Sequence, residues 1–369
     1  MKKVLLGTTA IVAATMITAP TAFAAEKIAM KVGGYYEQWI GYAATDTGSG
    51  ATTDFDQANM VTDGEIFFSG STTLDNGVKF GVNVQLEAQT NGDQIDENYM
   101  FISGGFGELN LGGENSAMYK MHYAPSDYGI GMNSGDQSMW AGSTAGISNR
   151  FRGATGSTYI EPTVAFNDTS KLTYYSPRIS GLQFGITWTP DASEDSNGLS
   201  DRNSVVQNGL AAAVNFQGDF SGASVKVSAG YGTANTEAST GGVDHDDPEG
   251  YNLGVVVGVG GFSIGGSYAQ NENGSAGDGE GMNIGVAYST GPWGVSLAYF
   301  GGTQTQNAIS NLGANGDHNT IHLSAKYALG PGITLAGTLG YTEFENEDQT
   351  LAISSSESTY LVVGIKTSF

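Results

Sequence analysis

The chain has 369 residues and a net charge of −23, with 56 glycines, 8 prolines and no cysteine. That acidity excludes binding to nucleic-acid phosphates, and the missing cysteine excludes a disulfide scaffold or a thiolate metal or redox site. Mean hydropathy is −0.17, and beyond the N-terminal segment no run of about eighteen apolar residues occurs, so no transmembrane helix is expected. Glycine is too dispersed for collagen, and the alternating segments below argue against a low-complexity linker.

Taken in order, the chain opens on a targeting signal. Lys2 and Lys3 precede an apolar, alanine-rich stretch over 4–17, and Ala22-Phe23-Ala24 fits the small-residue cleavage pattern. Residues 1–24 are therefore read as a cleaved secretory signal peptide and 25–369 as the mature chain.

Sixteen segments then alternate apolar with small or polar residues, the period of a β-strand with two unlike faces. They run over 29–43, 62–74, 78–90, 98–104, 106–112, 170–177, 182–189, 208–216, 222–232, 250–258, 261–270, 281–289, 292–300, 318–328, 332–343 and 358–369. In the third, Phe80, Val82, Val84 and Leu86 alternate with Lys79, Gly81, Asn83, Gln85 and Glu87. In the last, Leu361, Val363, Ile365 and Phe369 share one parity, and Tyr360, Gly364 and Lys366 the other. Strands of about ten residues tilted by about 45° cross a bilayer core.

The connections sort by length. Short ones, such as Asp75-Asn76-Gly77 and Thr290-Gly291, carry tight-turn signals and alternate with long ones over 44–61, 91–97, 113–169, 190–207, 233–249, 271–280, 301–317 and 344–357. Most of the acidic residues lie in or beside the long connections, whereas Lys31, Lys79, Lys226, Lys326 and Lys366 recur on the polar face of strands. Tyr42, Trp188, Phe216, Tyr231, Tyr288, Tyr299, Tyr327 and Phe369 lie on the apolar parity near strand ends, where an interfacial aromatic girdle would sit. An even strand count with short turns at one end and long loops at the other predicts an all-β fold: a 16-stranded antiparallel transmembrane β-barrel, both termini on the periplasmic side.

The leader, the sixteen strands, the long third external connection and the terminal Phe369 together resemble the general diffusion porins of Gram-negative bacteria, in particular the glycine-rich acidic porins of the alphaproteobacterial branch. The resemblance implies an outer-membrane channel for passive diffusion of small hydrophilic solutes and ions, homotrimeric, with Phe369 as a signal to the barrel assembly machinery and with lipid and lipopolysaccharide as neighbours. It also implies that the long loop, 113–169, folds inward and sets acids against a basic wall. The loop acids are then Glu114, Asp127 and Asp136, with Glu161 and Asp168 as further candidates. The basic set is Lys31, Lys79, Lys326 and Lys366, with Arg150 and Arg152 on the loop. Pro125-Ser126-Asp127-Tyr128-Gly129 is only loosely similar to the enterobacterial P-E-F-G signature, so the loop acids are not fixed by a motif. An acidic vestibule predicts a weak cation preference.

Catalytic readings find no support. His122, His245, His318 and His322 lie in different segments, and neither a G-x-S-x-G elbow nor an H-E-x-x-H helix occurs. No cofactor is expected, although Asp244, Asp246, Asp247 and Glu249 form a candidate Ca²⁺-binding loop. The alternatives are a substrate-specific outer-membrane channel for a sugar or carboxylate and, from another class, a secreted adhesin or structural β-protein.

Overall fold

The structure, a computed structural model, describes residues 27–47, 56–89, 94–133, 140–141, 157–192, 199, 206–236, 246–272, 278–305, 316–346 and 355–369. The proposed leader, 1–24, lies outside the described residues. Among them no helix is long and apolar enough to cross a membrane, so any crossing falls to strands.

Sixteen strands form one closed antiparallel barrel, each hydrogen-bonded to its sequence neighbours, with the last closing on the first. They are β1 (Ala29–Thr47), β2 (Gln57–Thr73), β3 (Lys79–Glu87), β4 (Ile95–Gly104), β5 (Gly107–Gly113), β6 (Ser170–Tyr175), β7 (Leu182–Asp191), β8 (Val206–Phe220), β9 (Ala223–Thr236), β10 (Glu249–Val259), β11 (Phe262–Glu272), β12 (Asp278–Thr290), β13 (Trp293–Thr305), β14 (Gly316–Gly330), β15 (Ile333–Asn346) and β16 (Ser355–Ser368). Every segment marked from alternation corresponds to one of them. Several strands run further toward the long-loop end than alternation showed. β2 begins at Gln57, because the polar residues there complete a ladder without presenting an apolar face.

The two faces separate cleanly. Leu361 is 59% exposed on the outside of β16 while its neighbour Val362 is fully buried inside. Outward aromatics pair at the short-turn end, as in Trp293 with Tyr327 at 4.4 Å and Phe262 with Tyr288 at 4.4 Å. Rings at that level suit a membrane interface, with an apolar body and, in tyrosine and tryptophan, a polar tip.

Closure depends on the chain end. Phe369 N–H donates to the Gly34 carbonyl and Gly34 N–H donates to a Phe369 oxygen, each at 3.0 Å. Gly34 has φ +152°, and a Cβ there would collide with the backbone carbonyl of Glu65 on β2. Only glycine lets β1 lie this close to β2 here.

One irregularity matters for the interior. The β3–β4 register slips between Val84 and Leu86, which pair with Asn98 and Ile95. Asp96 and Glu97 therefore both stand opposite Gln85, a β-bulge that turns two consecutive side chains toward the lumen.

Gly34→Ala is expected to destabilise the closed barrel by about 1–3 kcal/mol, seen as a lower temperature for the loss of heat-modifiable migration in detergent. Unchanged migration would show that the seam tolerates a side chain.

Candidate functional site

Between β5 and β6 the described parts of the long connection lie against the inside of the barrel. A short helix, α1 (Ala117–Lys120), buries Ala117 and Met118; Met121 and Ile160 join them against Ala211, Ala213 and Ala269 of the wall. Ile130 and Trp140 pack with Trp39, Ala336, Tyr360 and Val362, and Met132 packs with Ala298 and Phe300.

A chain laid through a lumen must find partners for its backbone groups. Inward side chains supply them, strand after strand. Thr187 Oγ1 accepts from Ala117 N–H at 2.9 Å, and Ser228 Oγ accepts from Tyr123 N–H at 2.8 Å. Ser296 Oγ accepts from Tyr128 N–H at 3.0 Å, and Thr338 Oγ1 from Ile130 N–H at 3.1 Å. In the other direction, the amides of Asn215, Asn252 and Asn271 donate to the carbonyls of Met121, Met118 and Glu161. Inward glycines leave the necessary room. A Cβ on Gly254 would strike the Tyr123 carbonyl, and one on Gly230 would come within 2.8 Å of the Met118 Cβ.

The acids expected to face the pore from this loop are placed differently where the structure describes them. Glu114 is 3% exposed and bound to Lys120 at 3.0 Å. Asp127 Oδ2 hydrogen-bonds His322 Nδ1 at 2.8 Å, and His322 Nε2 bonds the Tyr360 hydroxyl at 2.7 Å. Glu161 accepts from Ser116 N–H and Asp168 from the Asn115 amide. All four are buried and hold the loop to itself or to the wall. Asp136, Arg150 and Arg152 lie outside the described residues.

The lysines divide. Lys326 stands 3.7 Å from the centre of the Tyr128 ring, a cation–π contact. Lys366 pairs with Glu37 at 3.0 Å and donates to the Gly129 carbonyl at 3.3 Å. These two converge on the loop from β14 and β16. Lys79 lies over the Phe101 ring at 5.2 Å, and Lys31 is exposed near the start of β1.

The lumen face of β2–β4 is instead acidic and partly open. Asp63, Glu65, Glu87 and Asp96 are all partly exposed there, and Glu65 stands directly opposite Glu87. Alternation already put Glu87 on the polar parity; the parity of Asp63 and Glu65 was equally readable, but the bulge that adds Asp96 was not. Of the acidic external loop, Asp244 lies outside the described residues. Asp247 accepts from Thr236 N–H at 2.8 Å, Asp246 is exposed and Glu249 begins β10.

A family model of Gram-negative porins matches residues 7–347. The chain belongs to the Gram-negative porin family. This porin is thus an outer-membrane β-barrel channel. No curated protein sequence matches it. Among solved structures it resembles the anion-selective porin from Comamonas acidovorans, at 18% identity and TM-score 0.61, over 93% of this chain and 100% of that one. The trimer form of OmpT from Vibrio cholerae matches at 12% identity and TM-score 0.59, over 92% and 100%. A mutant porin of Rh. blastica matches at 15% and 0.55, also over 92% and 100%. At these identities the likeness is one of fold.

Two buried groups make docking of the loop in this porin depend on pH. Burial drops the His122 imidazole to about 3, against an ordinary value near 6.5. Burial raises the Asp127 carboxyl, but the hydrogen bond and charge of His322, the Ser324 hydroxyl and the Gly129 N–H outweigh it and bring it down to about 2. A released loop would take up the histidine proton from about pH 6.5 downward, and the docked loop only near 3. The histidine contribution is therefore complete above that interval and lost across it. The aspartate contribution is present above its ordinary range, near 3.9, and lost toward about 2. Single-channel recordings are expected to show more frequent closures as pH falls from about 6.5 to 3, with the upper part of that change removed in His122→Asn. A trace constant over the interval would contradict this coupling.

Proposed function

We propose that this porin is a passive pore for small hydrophilic solutes and ions, with a weak preference for cations. The observation that carries the reading is the acid row Asp63, Glu65, Glu87 and Asp96 on the accessible lumen face of β2–β4. Sixteen strands leave an aqueous channel where eight would be filled by side chains. In this reading the loop narrows that channel from the β6–β16 side. Buried Glu114 and Asp127 fix the loop, and Lys326 and Lys366 hold its Tyr128–Gly129 corner. The wall acids begin one strand from Lys366, in the register row Lys366–Glu37–Asp63, and their row over β2–β4 raises the local cation concentration. Selectivity belongs to such local charges and not to the fold, so an anion-selective relative of the same architecture is compatible with the opposite preference here.

The assembly in this proposal is a homotrimer, as the trimer form named for OmpT supports. On the outside of β1 and β2, Gln38 and Thr62 hydrogen-bond each other at 3.0 Å, a polar pair better suited to a protein neighbour than to lipid. Elsewhere the outward apolar band would meet lipid and lipopolysaccharide, and Phe369 would be the handle for the assembly machinery.

Asp63→Asn with Glu87→Gln is expected to lower the cation-to-anion permeability ratio by roughly twofold, read as the reversal potential across a planar bilayer under a KCl gradient. Glu114→Gln should move it less, since that carboxylate acts on the loop. An unchanged reversal potential in the double variant would take the wall acids out of the selectivity.

A further inference from the structure

Three recesses meet on the outside of the barrel, where the wall passes from apolar to charged toward the long-loop end. The upper one, about 320 Å³, is polar and lies among Tyr268, Glu280, Tyr299, Asp317 and Asn319, over Gly301. Two apolar grooves run below it. One, about 440 Å³, passes Leu253, Val255 and Gly266 and shares Tyr268 and Met282 with the upper recess. The other, about 470 Å³, passes Ile264, Val286, Leu297 and Ile321 and shares Tyr299 with it. Ile284 borders both grooves.

Register stacks this change in polarity. Glu280, Thr303, Asp317 and Glu345 pair in one row across β12–β15. Four residues toward the short turns, about 13 Å along the strands, the row is Ile284, Tyr299, Ile321 and Tyr341. Two outward glycines leave the room. A Cβ on Gly301 would come within 2.6 Å of the Tyr299 hydroxyl, and one on Gly266 would meet nothing closer than 3.7 Å. The Tyr299 hydroxyl donates to Asn319 Oδ1 at 2.7 Å, and that of Tyr268 is shared between Glu280 and Gln270. Both tyrosine protons are thus taken, and the two carboxylates dominate what the recess offers a ligand. Asp317 also stands directly opposite Glu345, and like charges set across a sheet destabilise it. Among the described residues no lysine or arginine points outward from β9–β16, so no described side chain on this face supplies the counter-charge.

We infer that this outer face binds one two-chain membrane lipid whose headgroup carries an ammonium group. A barrel crossing the outer membrane has lipid against this face, and the long-loop end places the headgroup in the external leaflet. The chains would lie in the two apolar grooves, either side of Ile284. The ammonium N–H groups would donate to Glu280 and Asp317 in the upper recess. The grooves alone name no occupant and the acids alone no site; their junction supplies both. A bare phosphate or carboxylate headgroup would meet two carboxylates and no base, whereas an ammonium group pairs more strongly here than in bulk water. Charge-selected lipid recognition is familiar with basic clusters and anionic headgroups, and here the signs are exchanged. This inference rests on the membrane-spanning barrel and not on the selectivity reading.

The test counts lipid retained by the full-length protein in a neutral maltoside detergent containing EDTA, by native mass spectrometry. Three probes with the same dioleoyl chains are offered at equal mole fraction: one with a dimethylammonium headgroup, dioleoylglycerol, and dioleoylphosphatidylglycerol. One ammonium lipid held per chain is expected, favoured over either of the others by about fivefold, the scale of one or two partly exposed ion pairs. Glu280→Gln/Asp317→Asn should remove that preference while the neutral lipid is held as before. Glu357→Gln, an exposed acid of β16 away from the recess, should leave it unchanged. Gly266→Leu should fill one groove and lower retention of all three lipids. Equal retention of the three probes would overturn the inference, as would a preference that survives the double variant, one that is lost in Glu357→Gln, or retention indifferent to Gly266→Leu. Favoured binding of phosphatidylglycerol when MgCl₂ replaces EDTA would also overturn it, by assigning the acids to a bridged phosphate. None of these readouts uses conductance, so this inference and the selectivity reading fail separately.

Discussion

The constraint on which the rest of this barrel depends is that a chain segment crossing its interior must have its backbone hydrogen bonds satisfied there. The wall meets that constraint with one or two inward hydroxyl or amide groups on most of the strands from β7 to β15, from Thr187 and Asn215 through Ser228, Asn252 and Asn271 to Ser296 and Thr338. Inward glycines at Gly230 and Gly254 let the backbone come close enough to use them. The apolar contacts of Met118, Met121 and Ile130 then add burial to a path already set by polar pairing. Docking on this side leaves the lumen face of β2–β4 partly exposed.

Those charges are unequally distributed. The described acids of the loop are withdrawn into buried contacts, as in Asp127 with His322, where removal of the histidine would leave a buried carboxylate without that partner. Lysines of β14 and β16 are engaged with Tyr128 and Gly129. The wall acids keep water contact and hence their long-range effect. In the proposed reading the described carboxylates of the loop position it, and the acids of the β2–β4 wall carry the field.

Much of this architecture is legible in the sequence because a strand in a barrel wall has two solvents. Leu361 and Val362 need only alternate for the faces to be assigned, and the sorting of connections into short and long assigns the two ends. The interior is less legible. Asp127 and His322 are separated by 195 residues and eight of the sixteen strands, and nothing local to either shows that they meet. The bulge that places Asp96 and Glu97 on one side breaks the period of two by a single residue, which alternation cannot distinguish from the end of a strand. Glu65 and Glu87 could be assigned inward by parity, but their being directly opposite follows from register, which the turn at Asp75–Gly77 alone does not fix. Resemblance to relatives suggested acids on the loop and bases on the wall; Lys326 and Lys366 do stand on the wall against the loop, whereas Glu114 and Asp127 are buried against Lys120 and His322.

Because the chain has no cysteine, single cysteines can report directly on which wall is open. Modification of Glu87→Cys and of Thr338→Cys by a small charged methanethiosulfonate reagent, applied to the membrane-inserted pore, is the most direct test. The account predicts rapid modification at position 87, with a cationic reagent favoured, and strong protection at position 338, where the native side chain is 1% exposed beneath the loop. Fast modification at 338 with protection at 87 would contradict it.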